Sequence, residues 1–141
     1  MHFAVSEFAQ FQEFCGRQHG KVPNAVSVEV AKIDLLTQGK HWADVDDLAT
    51  LMPILGPAHA AMETPGPNVA FKWTENIGDV TLAVSVSAAR LKADPTVPAF
   101  RMEFRATQPA TDNLDEQLEQ INSILNRAFF RVIPSAERRF A

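Results

Sequence analysis

Between residues 69 and 107, apolar and polar side chains alternate almost without interruption. A period of two is what a strand with one buried face requires. Val69, Phe71 and Trp73 alternate with Ala70, Lys72 and Thr74. Val80, Leu82, Val84, Val86 and Ala88 alternate with Thr81, Ala83, Ser85 and Ser87. Phe100, Met102, Phe104 and Ala106 alternate with Arg101, Glu103, Arg105 and Thr107. Asn76-Ile77-Gly78-Asp79 supplies one turn and Lys92–Pro98 a looser one. Connections this short join antiparallel neighbours, so the segment predicts a three-stranded meander.

A fourth strand is expected over residues 25–36, AVSVEVAKIDLL. Its apolar phase slips, from Val26, Val28 and Val30 to Ile33 and Leu35. A β-bulge would produce that slip, and so would a strand passing from one partner to another. Residues 113–133 predict a long helix, with Leu114, Leu118, Ile121, Leu125, Phe129 and Val132 on one stripe. Asp112 or Asn113 can cap it, Asn113 with Glu116 resembling a capping box, and Pro134 stops it. Acidic Asp115, Glu116 and Glu119 near its start and Arg127 and Arg131 near its end suit the helix dipole. A short N-terminal helix is expected over 5–18, capped by Ser6 and burying Phe8, Phe11, Phe14 and Cys15. Asp44 can cap another short helix carrying Val45, Leu48, Leu51 and Met52, which Pro53 ends. Residues 56–67, with two Gly and three Pro, read as a loop. The sum is one α+β domain over residues 1–141. An antiparallel sheet of about four strands is covered on one face by the C-terminal helix.

The chain has 141 residues, 46% of them hydrophobic, and a formal net charge of −4. That balance argues against a dedicated nucleic-acid or anionic-membrane binder. No apolar run approaches the roughly 20 residues that span a bilayer, and the N-terminus lacks the pattern of a signal peptide. The single cysteine, Cys15, fits a reducing compartment. Cytoplasmic is the localisation these features imply.

Chemistry-bearing motifs are absent. His2, His19, His41 and His59 form no ligand pair at helical spacing, and one cysteine cannot anchor a structural zinc site. Cys15 lies on an apolar stripe and reads as an inert core thiol. Asp44, Asp46 and Asp47 read as helix capping and solvation. Nucleophile elbows and phosphate loops do not occur. No catalytic, cofactor-binding or metal-ligating residue is therefore assigned.

The solvent face of the sheet is the place for a partner. Lys72, Arg101 and Arg105 project there, with Glu29 and Glu103 between them. The plain reading is a solvated face laced with weak ion pairs. The sharper reading is a docking face for a protein. Single-stranded nucleic acid would need aromatics on that face, whereas Phe71, Trp73, Phe100 and Phe104 belong to the core rows. Trp42, after Gly39-Lys40-His41, either staples the short helix to the core or serves as an exposed partner anchor.

The strand VSVEVAKIDLL after Pro23-Asn24, the Gly-Lys-His-Trp loop with ADVDDLATLMPIL, the meander Val69–Thr107 and the ending LDEQLEQINSILNRAFFRVIPSAERRF resemble one bacterial family. That family is labelled only "sporadically distributed protein". Its members carry an aromatic strand centre, where this chain has Lys32-Ile33-Asp34, and an additional N-terminal segment. The resemblance implies no activity and no site residues. The rows VTLAVSVSAARL and FRMEFRAT are also similar, at the level of architecture, to strands of SecB-like export chaperones. The reading adopted is a non-enzymatic interaction domain: an adaptor, an accessory subunit or an immunity- or antitoxin-like partner, binding another protein or itself. The alternatives are a small-ligand pocket between helix and sheet, and a chaperone for unfolded chains.

Overall fold

The computed structural model describes residues 8–14, 17 and 26–135. Residues 8–14 are helical (α1). Strand β1 (Ser27–Thr37) and the short helices α2 (Val45–Leu51) and α3 (Leu55–Ala61) follow. Then come β2 (Ala70–Ile77), β3 (Val80–Arg90), β4 (Pro98–Pro109) and the long helix α4 (Leu114–Val132). The strands form one antiparallel sheet in the order β1-β4-β3-β2. This is the expected α+β architecture. The meander runs β2-β3-β4, and β1 closes against β4, the last strand made.

Each element follows from its local sequence. The β2–β3 hairpin turns on Gly78-Asp79, with Ile77 paired to Val80. Gly78 sits at φ +63°, the first-position glycine that suits a two-residue hairpin. Asn113 caps α4 by accepting from the Glu116 N–H at 3.2 Å. Its amide also reaches the Glu116 carboxylate. Asp44 caps α2 by accepting from the Asp47 N–H at 2.8 Å.

The core lies on one side of the sheet. Phe100, Met102, Phe104 and Ala106 of β4 and Val80, Leu82, Val84 and Val86 of β3 are buried there. Helix α4 packs on β4 and β1. It buries Leu118, Ile121, Ile124, Leu125, Ala128 and Val132, which contributes on the order of 10 kcal/mol before chain entropy is charged. Leu48, Leu51, Met52 and Leu55, from α2, α3 and the link between them, complete the core.

Three expectations are corrected. First, β1 contains no bulge. It pairs with β4 one residue to one, from Ser27 opposite Pro109 to Thr37 opposite Ala99. The inward row is therefore Val28, Val30, Lys32, Asp34 and Leu36. Two charged residues point toward the helix side, and Ile33 and Leu35 fall on the open face. Lys32 donates to Asn126 Oδ1 at 2.6 Å and lies 5.9 Å from the Phe129 ring centroid. Second, the first half of the expected 56–67 loop belongs to a helix, Leu55–Ala61. Pro57 stands in the first turn, where its missing N–H would have had no partner in any case. Third, α1 leaves two of its three phenylalanines exposed, Phe11 at 54% and Phe14 at 49%, while Phe8 is half-buried. Ser6, Cys15, His2, His19 and the tail beyond Ser135 lie outside the described residues.

Candidate functional site: the open face of the sheet

The second face of the sheet is open to solvent at Ile33, Leu35 and Lys72. Strand parity and register place its side chains. Lys72 of β2 neighbours Ser85 of β3, which neighbours Glu103 of β4, which neighbours Ile33 of β1. The adjacent row runs Ala70, Ser87, Arg101 and Leu35, and the one on the other side Thr74, Ala83, Arg105 and Ala31. Lys72, Arg101 and Arg105 thus share one face.

The face has relief. Small side chains along β3 form a floor, and Lys72 of β2 and the charged residues of β4 form walls. Lys72, Ala83, Ser85, Glu103 and Arg105 line a depression of about 220 Å³ there. Beside it, Ile33 is 54% and Leu35 39% exposed. The charges are ordered. Arg105 bridges Glu29 of β1 and Glu103 of its own strand, the latter at 2.6 Å, and Arg101 reaches Glu103 at 3.4 Å. Lys72 makes no ion pair among the described residues.

The Arg105 guanidinium, donating to Glu103, holds that carboxyl below the usual glutamate range. Loss of solvent opposes this, and Arg101 reinforces it. The same interactions with Glu103 and Glu29 raise Arg105. A depressed carboxyl binds its proton later in the folded state than in the unfolded chain. The network's contribution is then complete above the unfolded glutamate value and fades as pH falls through the folded one. A carbon-detected NMR titration is expected to place Glu103 below free glutamate and to move it upward in Arg105→Ala. An unmoved midpoint in that variant would remove Arg105 as the cause.

Trp42 is not on this face. It is 3% exposed, donates its indole N–H to the Leu36 carbonyl at 3.0 Å, and stands edge-on to Phe100 at 6.2 Å. It is the staple, and its burial removes it from any partner-binding surface. The Thr37 N–H donates to His41 Nδ1 at 2.9 Å, and burial, with Lys40 beside it, lowers the His41 pKa.

A second concavity went unread in the sequence. Because α4 lies over β4 and β1, the inward row of β2 (Phe71, Trp73, Glu75, Ile77) is only half covered. A groove of about 560 Å³ opens between β2 and α4, lined by Glu75, Ile77, Ile124, Arg127, Phe130 and Arg131. Arg131 approaches Glu75 at 3.7 Å across it. The sequence held one signal: Glu75 interrupts an otherwise apolar inward row.

Among the described residues no group of three His, Cys, Asp or Glu could hold a metal ion. No described helix is long and apolar enough to cross a membrane. No protein-family model, curated protein or solved structure matches the chain.

Proposed function

We propose that this protein is an interaction domain that docks a protein partner on the open face of its sheet. One observation carries the reading: a four-stranded face with a small-residue floor and a frame of ordered charge leaves apolar Ile33 and Leu35 exposed. Four strands of 11, 8, 11 and 12 residues present roughly 19 by 35 Å, or about 670 Å². One side of an ordinary protein interface is about 800 Å². Lys72, Arg101 and Arg105 outweigh Glu29 and Glu103 by one positive charge. The surface thus suits a partner patch that is apolar at its centre and mildly acidic at its rim.

The test is affinity capture from native-host lysate, using the parent chain and a Lys72→Glu/Leu35→Ser variant. Both positions are solvent-facing, so the variant is expected to melt within a few degrees of the parent. A dominant stoichiometric partner should be captured by the parent and lost by the variant. Equal capture by both would remove the open face as the docking surface. A crowd of unrelated clients would point instead to a chaperone.

A further inference from the structure

The two edges of this sheet are built differently. An edge strand presents unpaired N–H and C=O groups and invites another chain to pair with it. Among the known protections are inward-pointing charges, prolines and bulges. Edge strand β1 has the first of these, since Lys32 and Asp34 point toward the helix side. Edge strand β2 has one inward-pointing charge, Glu75, which Arg131 meets at 3.7 Å, and no proline or bulge. Among the described residues it pairs only with β3, one residue to one over Ala70–Ile77. The edge with fewer inward charges is also the one beside the α4 groove.

A strand added to β2 would lie about 4.8 Å beyond it, with alternate side chains turned toward the helix side. Those side chains would enter the groove. There they would meet apolar Ile77, Ile124 and Phe130, the last of which is exposed on α4. They would also meet two guanidinium groups. Arg131 is engaged only at 3.7 Å by Glu75, and exposed Arg127 makes no ion pair among the described residues. Two arginines against one glutamate make the groove positive on a chain whose net charge is −4. An acidic side chain from the added strand would complete Arg127 and share Arg131.

From these features we infer a second binding site, independent of the open sheet face. The groove between α4 and the free edge of β2 takes an extended peptide as a fifth strand, one whose inward row mixes apolar and acidic side chains. Backbone hydrogen bonds to β2 supply sequence-tolerant affinity. The apolar and arginine positions of the groove supply selectivity.

The probe is a fluorescein-labelled peptide as long as β2, with threonine at odd positions and leucine and glutamate alternating at even ones. Its binding to the full chain is read by fluorescence anisotropy. Three controls accompany it: lysine in place of glutamate, and two versions N-methylated on one or the other alternate set of amides. The glutamate probe is expected to bind. Affinity is expected to fall at least about tenfold with the lysine peptide and with Arg127→Glu, the scale of removing one charge-assisted hydrogen bond. One N-methylated set should abolish binding while the other leaves it nearly unchanged, because an added strand turns only alternate amides toward β2. Arg127→Gln is the milder variant, and melting curves verify that both variants fold.

Equal binding of the two N-methylated peptides would overturn strand addition. Equal binding by Arg127→Glu would overturn the groove. Absence of probe binding overturns the proposal, and decanoate binding in its place would identify a small amphipathic anion as the occupant. Self-association that competes with the probe and is lost in Arg127→Glu would identify a second copy of the chain instead. None of these results bears on Lys72 or Leu35, so this site and the open face stand or fall separately.

Discussion

Trp42→Ala is expected to lower the free energy of unfolding by about 3–5 kcal/mol, the range for removing a large aromatic from a packed core. Three effects combine. The indole is almost wholly buried against Leu36 and Phe100, so truncation opens a cavity at the closed end of the sheet. The edge-to-face pairing with Phe100 disappears. The Leu36 carbonyl is deprived of its indole donor. Trp42→Phe separates these effects. It keeps most of the volume and removes the donor, and is expected to destabilise by about 1–3 kcal/mol. Guanidinium denaturation measures both. A loss below about 1 kcal/mol for Trp42→Ala would mean that the side chain is not the staple the structure makes it. The result also governs binding experiments: a partner lost in Trp42→Ala would report unfolding, whereas one lost in Lys72→Glu would report the surface.

The role of Trp42 shows where the sequence could and could not be read. Its loop position allowed either a staple or an exposed anchor. Only the approach of Phe100, fifty-eight positions along the chain, decides between them. The meander was legible because each strand carries its own alternation, and parity alone put Lys72, Arg101 and Arg105 on one face. Their ion pairs were less accessible. Arg105 meets Glu29 because β1 lies beside β4, a non-local pairing that no turn in the meander specifies.

The slip in β1 suggested a bulge or a change of partner, and neither occurs. The ladder is unbroken, and Lys32 and Asp34 turn inward instead of Ile33 and Leu35. Every residue from Ser27 to Thr37 keeps a partner on β4, and Lys32 finds Asn126 and Phe129. The apolar residues left outside became the centre of the candidate docking face. The groove was hidden for a related reason. Its existence depends on where α4 crosses the sheet, over β4 and β1 and away from β2. Arg127 and Arg131 alone read as residues that suit a helix C-terminus.

Gln117 is the other position where a large effect is expected. In the helix pattern it precedes the apolar Leu118 and reads as an ordinary polar residue. In the structure it is 2% exposed and all its hydrogen-bonding capacity is used. Its amide nitrogen donates to Gln108 Oε1 at 2.8 Å and to the Pro109 carbonyl at 2.7 Å. Its amide oxygen accepts from the Thr111 N–H at 2.9 Å and from the Thr111 hydroxyl at 3.3 Å. One side chain thereby ties the end of β4, the following turn and the first turns of α4 together. Gln117→Leu keeps the volume and leaves these groups without a partner. At about 1–3 kcal/mol for each buried group left unsatisfied, and with water reaching some of them, a loss of about 2–3 kcal/mol is expected.

Gln117→Glu is the sharper test because its effect has a sign in pH. An ionised carboxylate there would face the Gln108 and Pro109 oxygens with no proton to offer either, at a buried position. Burial and those acceptors would raise its folded-state pKa above the unfolded value. Stability is then greatest below the unfolded glutamate value and is lost as pH rises through the folded one. The destabilisation relative to the parent chain should therefore grow from acidic to neutral pH, reaching about 3 kcal/mol or more. For Gln117→Leu it should stay level across the same range. If the two variants showed the same pH dependence, the Gln108 and Pro109 oxygens would not be aimed at this side chain, and the tie between β4 and α4 would rest on apolar packing alone.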